Sequence, residues 1–330
     1  MVLQFATVGW GGNEIMACEL ASRFASLGVP VVILVGDPLQ LDQVKRRTGL
    51  PVSMSVSAKP YNCSRSERLV LVCSSFIKGL WQIGPSFFWR GSYWIYAPFM
   101  GSEWRNWSKL IVRVLVEFTA KLTGRLIAVS WDLASRGFYV WPNCAASLRV
   151  PSTEFSTVAV PQNGVRLLCV GRVEFRQKAQ DRLAILVEEL NAGGLSWQLH
   201  FVGEGPDMPA LKALCDRLAW CRFSEWVDGA VELYSAESSC LVIPSRYEGL
   251  PLVALEAARC ELPIVATHEA GLNSVLPPTQ LFSLDDPHSL KRAVIAAVSR
   301  GAGSGSRMNR AYSGSVLNKQ LMSWVAEARQ

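Results

Sequence analysis

The hydrophobic positions of the chain form short apolar runs that alternate with longer amphipathic stretches. In the first half, the runs "VLQFATVG", "VPVVILVGD", "ERLVLVCS" and "GRLIAVS" have the length of strands, and "GGNEIMACELASRFASLG" has the pattern of a glycine-led helix. A second series follows, in which "VRLLCVG", "WQLHFVG", "CLVIPS" and "PIVAT" alternate with "AQDRLAILVEELNAGG", "DMPALKALCDRLAW" and "LVALEAARC". Such alternation predicts an α/β protein with parallel sheets covered by helices on both faces.

The two series are separated by a stretch without periodicity. Residues 142–164 contain three prolines, and a chain of 330 residues is long enough for two domains. We predict an N-terminal domain at 1–150, a second domain at 151–306, and a C-terminal helix at 307–330 that packs back towards the first domain after a flexible "GAGSGS". Two such Rossmann-like domains would face each other across a cleft at the carboxyl ends of their strands.

Composition narrows the function classes. The net charge of +6 is a mild bias towards anions such as nucleotides or lipid headgroups, and it is too weak to indicate a nucleic-acid partner. Nine cysteines without a C-x-x-C pattern and three separated histidines predict reduced core thiols and no metal site. No secretory signal and no apolar run near the ~20 residues of a membrane span occur, so we expect a cytoplasmic protein.

Two glutamates stand around a Gly-Leu-Pro turn in "SRYEGLPLVALEA". The apolar run before them predicts a strand, and the run after them predicts a helix, so Glu248 falls in a loop and Glu256 about one turn into the helix. A helix that opens beside Gly249 offers backbone N–H groups to a phosphate, and a carboxylate can accept hydrogen bonds from a diol. The alternative is that both acids are solvated surface charges.

Other predicted strand ends carry cations or glycines. "CVGRVEFRQKAQ" supplies Arg172, Arg176 and Lys178, which suit a diphosphate, although a solvated surface loop is the alternative. "FVGEGP" supplies Gly203, either in a simple turn or in a loop beside a nucleotide.

The first predicted strand ends in glycines that would let the backbone approach an anion. Gly11 lies two residues after Gly9, and with Asp37 further along this could begin a dinucleotide fingerprint. The third glycine of that fingerprint is replaced by Glu14, so we regard NAD binding as the weaker interpretation.

Taken together, these motifs resemble the family 4 retaining glycosyltransferases of the GT-B fold, also called glycosyl transferases group 1. The resemblance covers nearly the whole C-terminal half and is thinner in the N-terminal half, where it depends on "GGNE" and "IAVS…WPN". It implies diphosphate neutralisation by Arg172 and Lys178 and a sugar-hydroxyl contact for Glu248. The donor-binding positions that it implies are Gly11, Gly12, Gly203, Gly249, Leu250 and, for the ribose, Glu256.

The resemblance also implies an activity. It is the transfer of a sugar from a UDP- or GDP-linked donor to a glycan or lipid-linked acceptor of envelope polysaccharide synthesis, with retention and with neither a metal nor another cofactor. A non-catalytic nucleotide-sugar-binding relative is the alternative, and a dinucleotide-dependent oxidoreductase is a weaker one.

The chain departs from the family pattern at several positions. Cys144 follows Pro142-Asn143 where glycine is usual, Ser238 or Ser239 replaces an acid, and Ser274 replaces another. The N-terminal histidine often seen near the acceptor is absent. These departures leave the acceptor side unassigned.

An aromatic stretch at 81–107 leads into a basic amphipathic segment. Apolar side chains recur there at helical spacing, at Trp104, Trp107, Ile111, Val114, Leu115 and Phe118. They could pack in the core, lie on an anionic membrane at the inner face, or stack on an acceptor sugar. We favour core packing.

Overall fold

The computed structural model describes residues 1–5, 12–54, 67–73, 76–89, 93–96, 107–129, 137–144, 164–227, 229–235, 237–300 and 303–327. The chain divides into two units, residues 1–144 with 314–330 and residues 145–313. The predicted boundaries are at 150 and 306, whereas the structure divides after residues 144 and 313, so the predicted boundary at 306 falls inside a helix of the second unit, Gly303–Ala311. Most of the predicted linker lies outside the described residues.

The first unit is a parallel sheet with the strand order β3-β2-β1-β4-β5-β6-β7. Its elements are β1 (Val2–Phe5), α1 (Gly12–Ser26), β2 (Val32–Val35), α2 (Pro38–Thr48), β3 (Val52–Met54), β4 (Leu69–Val72), α3 (Phe76–Ile83), α4 (Ser86–Trp89), β5 (Tyr93–Tyr96), α5 (Trp107–Thr123), β6 (Leu126–Ala128) and β7 (Tyr139–Val140).

The second unit is a parallel sheet with the order β10-β9-β8-β11-β12-β13. Its elements are β8 (Arg166–Val170), α6 (Phe175–Lys178), α7 (Gln180–Ala192), β9 (Gln198–Val202), α8 (Met208–Cys215), β10 (Cys221–Ser224), α9 (Ala230–Ser235), β11 (Cys240–Ile243), α10 (Leu252–Arg259), β12 (Ile264–Thr267), a 3-10 helix (Pro278–Gln280), β13 (Leu281–Phe282), α11 (Pro287–Arg300) and α12 (Gly303–Ala311). The final helix, α13 (Gly314–Glu327), belongs to the first unit.

Each central strand is buried because helices cover both faces of its sheet. β4 and β11 are buried at every residue, which explains why their sequences read as continuous apolar runs. The prediction of buried, reduced cysteines is confirmed for Cys73, Cys169 and Cys240, which are free thiols. Burial raises the pKa of each of these thiols to about 12, so they are unreactive at neutral pH.

The expectation of a flexible "GAGSGS" was wrong for its last four residues. Gly303 begins α12, and the helix packs on α10, where the Asn309 side chain donates a hydrogen bond to Ala258 O at 3.0 Å. A Cβ atom at Gly305 would lie 2.9 Å from Ala258 O, so the glycine allows the two helices to approach closely. Tertiary packing therefore overrides the poor helix propensity of this segment.

Helix α13 is held in the first unit by an aromatic cluster. Trp324 is 2% exposed, and its ring centroid lies 5.4–5.5 Å from those of Phe24, Trp94 and Trp141, in edge-to-face contacts. Arg23 of α1 also donates a hydrogen bond to Asn318 Oδ1 at 2.8 Å. These contacts join the end of the chain to its beginning.

The favoured interpretation of the aromatic segment was right for one part and wrong for another. Tyr96, in β5, is fully buried in the sheet. On α5, in contrast, Val114, Leu115 and Phe118 are 57–61% exposed, while Val116 and Ala120 supply the buried face. Trp104 lies outside the described residues, as do the side chains of Trp107 and Ile111.

Candidate active site

The candidate site lies at the carboxyl edge of the second sheet. From β8 the chain runs outward through β9 to β10 and then returns to β11 on the other side of β8. Loops after β8 and β11 therefore diverge at a topological switch point, which is where open α/β sheets bind their ligands.

Lys178 and Glu248 meet at this point, although they are 70 positions apart in sequence. The Lys178 ammonium, at the end of α6, donates a hydrogen bond to Glu248 Oε1 and forms an ion pair with it. Ser245 Oγ donates a second hydrogen bond to the same oxygen at 3.1 Å. The Glu248 side chain is 6% exposed and that of Lys178 is 25% exposed, so the carboxylate is held in one place by two donors.

The chain reversal at Lys178 depends on an alanine in an unusual conformation. Ala179 has φ 50° and ψ 36°, the left-handed region, and it is fully buried between α6 and α7. The Arg246 N–H donates to Gln177 O at 2.7 Å, which ties α6 to the loop after β11. This backbone arrangement directs Lys178 towards Glu248.

The end of β12 and the turn that follows it contact the backbone of the loop that carries Glu248. Thr267 Oγ1 donates to Ser245 O, and the Glu248 N–H donates to Glu269 O at 3.3 Å. Gly271 adopts a φ of +71°, and a Cβ atom there would lie 2.3 Å from Gly249 O and 3.0 Å from Glu248 O. The Glu248–Gly249 backbone thus packs directly on the turn that follows β12.

Arg172, the other predicted cation, forms its ion pair with a different glutamate. The Arg172 side chain is 68% exposed, and its Nε lies 3.7 Å from Glu174 Oε2 on its own loop. Its predicted contact with a diphosphate stays a prediction.

The predicted phosphate and ribose positions follow Glu248 directly. Pro251 is the N-cap of α10, so Gly249 and Leu250 immediately precede the amino end of that helix, and Leu250 is 5% exposed. Glu256 lies in the middle of α10 and is partly exposed. Their roles towards a donor stay predictions.

The structure describes two further glycines of the predicted site, Gly203 and Gly12. Gly203 has φ +142°, and a Cβ atom there would lie 2.1 Å from Gly171 O, so contact between neighbouring loops is a sufficient reason for glycine at this position. Gly12 is the first residue of α1, whereas Gly11 lies outside the described residues.

The serines that replace a family acid bond to the backbone. Ser238 Oγ donates to Tyr234 O at 2.8 Å, and Ser239 Oγ accepts from the Arg166 N–H at 3.0 Å. Both are buried at the amino ends of β8 and β11, the edge of the sheet opposite to Glu248. Their substitution therefore leaves the Lys178–Glu248 pair intact.

Within the described residues, no three His, Cys, Asp or Glu side chains lie close enough together to hold a metal ion. The ionic groups that the structure brings together at the carboxyl edge are instead a lysine and a glutamate. This arrangement can neutralise an anion and orient hydroxyl groups.

Four residues of the site were not predicted from the sequence: Ser245, Thr267, Gly271 and Ala179. Ser245 lies inside the motif "SRYEGLP", and Gly271 lies in "AGLNS", where Ser274 stands at the place of a family acid. Nothing in the sequence around Ala179 indicates a left-handed conformation.

Comparison with known families agrees with the class of protein that the fold and the site indicate. Residues 164–300 match the family model described as glycosyl transferases group 1. The match lies within the second unit, which contains Lys178 and Glu248. The resemblance stated from the sequence motifs is confirmed.

Two curated relatives match shorter segments. The chain is 27% identical over 122 residues to lipopolysaccharide 1,6-galactosyltransferase of Escherichia coli K12, and 32% identical over 103 residues to the amylovoran biosynthesis glycosyltransferase AmsD of Erwinia amylovora. The alignments span 34% and 31% of this chain, and 33% and 28% of the relatives, about a third of their length.

Solved structures match along the whole chain. The lipopolysaccharide outer core galactosyltransferase WaaB superposes with a TM-score of 0.65 at 17% identity, and Anabaena Alr3699/HepE, in complex with UDP and glucose, with 0.71 at 15% identity. Each match covers 99% of both chains. These likenesses confirm the GT-B fold class of two parallel-sheet α/β domains.

Proposed function

We propose that this protein is a retaining glycosyltransferase that moves a sugar from a UDP- or GDP-linked donor to a glycan or lipid-linked acceptor. The observation that carries the proposal is the Lys178–Glu248 pair at the switch point of a group 1 glycosyltransferase domain.

The pair provides two functions that the reaction needs. Negative charge grows on the departing diphosphate, and a cation fixed nearby stabilises that charge without rearrangement of solvent. The Glu248 carboxylate can accept hydrogen bonds from sugar hydroxyls. Since Lys178 and Ser245 both bond to Oε1, we assign Oε2 to the sugar.

The glutamate acts as a positioning group in this proposal. Retention would follow from attack on the face that the diphosphate leaves, as the family resemblance implies, so no covalent intermediate on Glu248 is needed. Lys178, with Arg172 on the loop after β8, would take the place of a metal ion in neutralising the leaving group.

The names of relatives indicate which donors to test first. One curated relative is named as a lipopolysaccharide galactosyltransferase, and the other is named as a glycosyltransferase of amylovoran biosynthesis. Structures of the Anabaena protein contain UDP, or UDP-glucose. UDP-galactose and UDP-glucose are therefore the first donors, with GDP-mannose and NAD as the alternatives.

A thermal-shift panel of these ligands tests donor binding. A ligand at 100 times its Kd stabilises the folded state by about 2.7 kcal/mol, enough for a clear rise in Tm. Stabilisation by NAD alone would contradict the proposal.

Glu256→Ala examines the ribose contact. It should weaken donor binding more than it slows turnover, because a ribose contact is equal in ground and transition states. Calorimetry that finds unchanged donor affinity would remove Glu256 from the site.

Turnover separates an enzyme from a binding protein. Slow hydrolysis of the bound nucleotide sugar, with the anomeric configuration of the first-formed product read by NMR, should show retention and should persist in EDTA. Binding without any hydrolysis or transfer would favour the non-catalytic alternative, and an inverted product would refute the retaining mechanism.

The cellular location is also a proposal, namely the cytoplasmic side of the membrane with peripheral contact. Among the described residues, no helix is both long and apolar enough to cross a bilayer.

A further inference from the structure

Three helices of the first unit expose large hydrophobic side chains. Large hydrophobic side chains project from three helices that share one core cluster through Ile83, Phe87, Val116 and Ala120. The exposed members, which we call the outer apolar face, are Trp81 on α3, Phe88 on α4, and Val114, Leu115, Phe118 and Leu122 on α5.

Helix α5 is apolar on two opposite sides. At about 100° per residue, Val114, Phe118 and Leu122 follow one another down one side, roughly opposite to Val116 and Ala120. The second set is buried against the sheet, while Leu122 is 65% exposed. The core therefore does not explain why the outward side of the helix is hydrophobic.

The three helices form one surface. Phe87 and Phe88 of α4 are in edge-to-face contact, and the guanidinium of Arg125, just after α5, lies 4.7 Å from the centroid of the Phe87 ring. The end of α5 and the short helix α4 are therefore neighbours. Trp81, on α3, is 84% exposed, the largest exposure among the large hydrophobic side chains of the described residues.

The charges on these helices are mainly positive. The sequence of α5 contains Lys109, Arg113 and Lys121 but one acid, Glu117. Lys121 is exposed on α5, and by helical spacing it lies on the same side as Val114 and Phe118. Lys78 is exposed on α3. Basic side chains bordering an apolar surface are the combination that binds anionic lipid in the plane of the interface.

We propose that the outer apolar face binds an anionic membrane surface. The inference rests on the proposed function in one respect, since a lipid-linked acceptor would explain why a glycosyltransferase uses such a surface. A symmetric dimer through the same face is less favourable, because a two-fold axis would bring the lysines of both copies together. Exposed tryptophan is also suited to the headgroup region.

Vesicle sedimentation of the full-length protein tests the proposal. The protein should sediment with vesicles of phosphatidylglycerol and phosphatidylethanolamine and much less with phosphatidylcholine. The variant Phe118→Ser with Leu122→Ser should lower the partition coefficient about tenfold or more, from the lost burial of two large apolar side chains. A second variant, Trp81→Ser, should weaken binding independently of α5.

The matched control is Ile295→Ser with Met322→Ser, since these side chains are 50% and 59% exposed on α11 and α13. It should bind vesicles as the unmodified protein does. Both outer-face variants should keep the Tm and the donor affinity measured without vesicles, which separates this proposal from the proposed function. Unchanged vesicle binding by both outer-face variants would overturn it, and so would light scattering that shows a dimer lost in these variants.

Discussion

Replacing Gly271 by alanine should displace the backbone of Glu248 without removing any group that would contact a ligand. Gly271 lies in the turn after β12 with φ +71°, and its Cα faces the backbone of Glu248 and Gly249. An added Cβ atom would lie 2.3 Å from Gly249 O, whereas real Cβ atoms stay beyond 3.0 Å, so the two turns must separate by at least 3.0 − 2.3 = 0.7 Å. The neighbour is main chain and cannot rotate away.

Two costs add in this variant. An alanine in the left-handed region costs about 1 kcal/mol relative to glycine, and overpacking adds about 1–3 kcal/mol. The free energy of unfolding should fall by about 2–4 kcal/mol in total. A displacement of this size at Glu248 should also lower turnover by about 10- to 100-fold, because misplacement by about 1 Å has effects of that order.

The matched control is Gly28→Ala. Gly28 has φ +75°, nearly the same as Gly271, but an added Cβ atom there meets nothing within 4 Å. It should lose about 1 kcal/mol of stability and no activity. Urea unfolding and donor hydrolysis, measured on both variants, separate backbone strain from the clash. Equal stability of the two variants, with full activity in Gly271→Ala, would refute the packing argument.

Two further predictions concern the ion pair and the final helix. Lys178→Ala should lower kcat by about 10²–10³, as the loss of other electrostatic donors does. Arg176 is exposed, and Arg176→Ala should keep a nearly normal kcat. If Arg176→Ala lowers kcat more than Lys178→Ala does, Arg176 is the catalytic cation. Trp324→Ala should lower the free energy of unfolding in urea by about 3–5 kcal/mol, because it removes the central ring of the aromatic cluster. Met322 is 59% exposed on the same helix, so Met322→Ala should change the free energy of unfolding little. Similar losses in both variants would show that the cluster is not what holds α13 in the first unit.

The sequence could predict the alternation of strands and helices because buried parallel strands are continuous apolar runs. It could also predict that Glu248 and Lys178 lie after the carboxyl ends of strands, since both follow such apolar runs. The very short strands were missed: β7 and β13 have two residues each, too few for any periodicity to appear. Strand β5 was hidden in the aromatic stretch, because "YWIY" is as compatible with a surface or a core helix as with a strand.

Which side of a helix faces the sheet was harder to predict than where the helix lies in the sequence. Val114 and Val116 of α5 are both apolar, and helical spacing cannot say which of two opposite apolar sides of a helix faces the sheet. The structure buries Val116 and exposes Val114. Only the three-dimensional neighbours of the helix make that choice.

The contact between Lys178 and Glu248 changes how substitutions in the site must be interpreted. From the sequence, the lysine was assigned to the phosphate and the glutamate to the sugar, as independent groups. In the structure the lysine also fixes the carboxylate, so Lys178→Ala removes a cation and frees Glu248 at the same time. Gly271→Ala moves the Glu248 backbone but keeps the ammonium. If charge neutralisation dominates, Lys178→Ala will be the more damaging of the two; if sugar positioning dominates, the two losses of kcat will be similar, since both displace the same carboxylate.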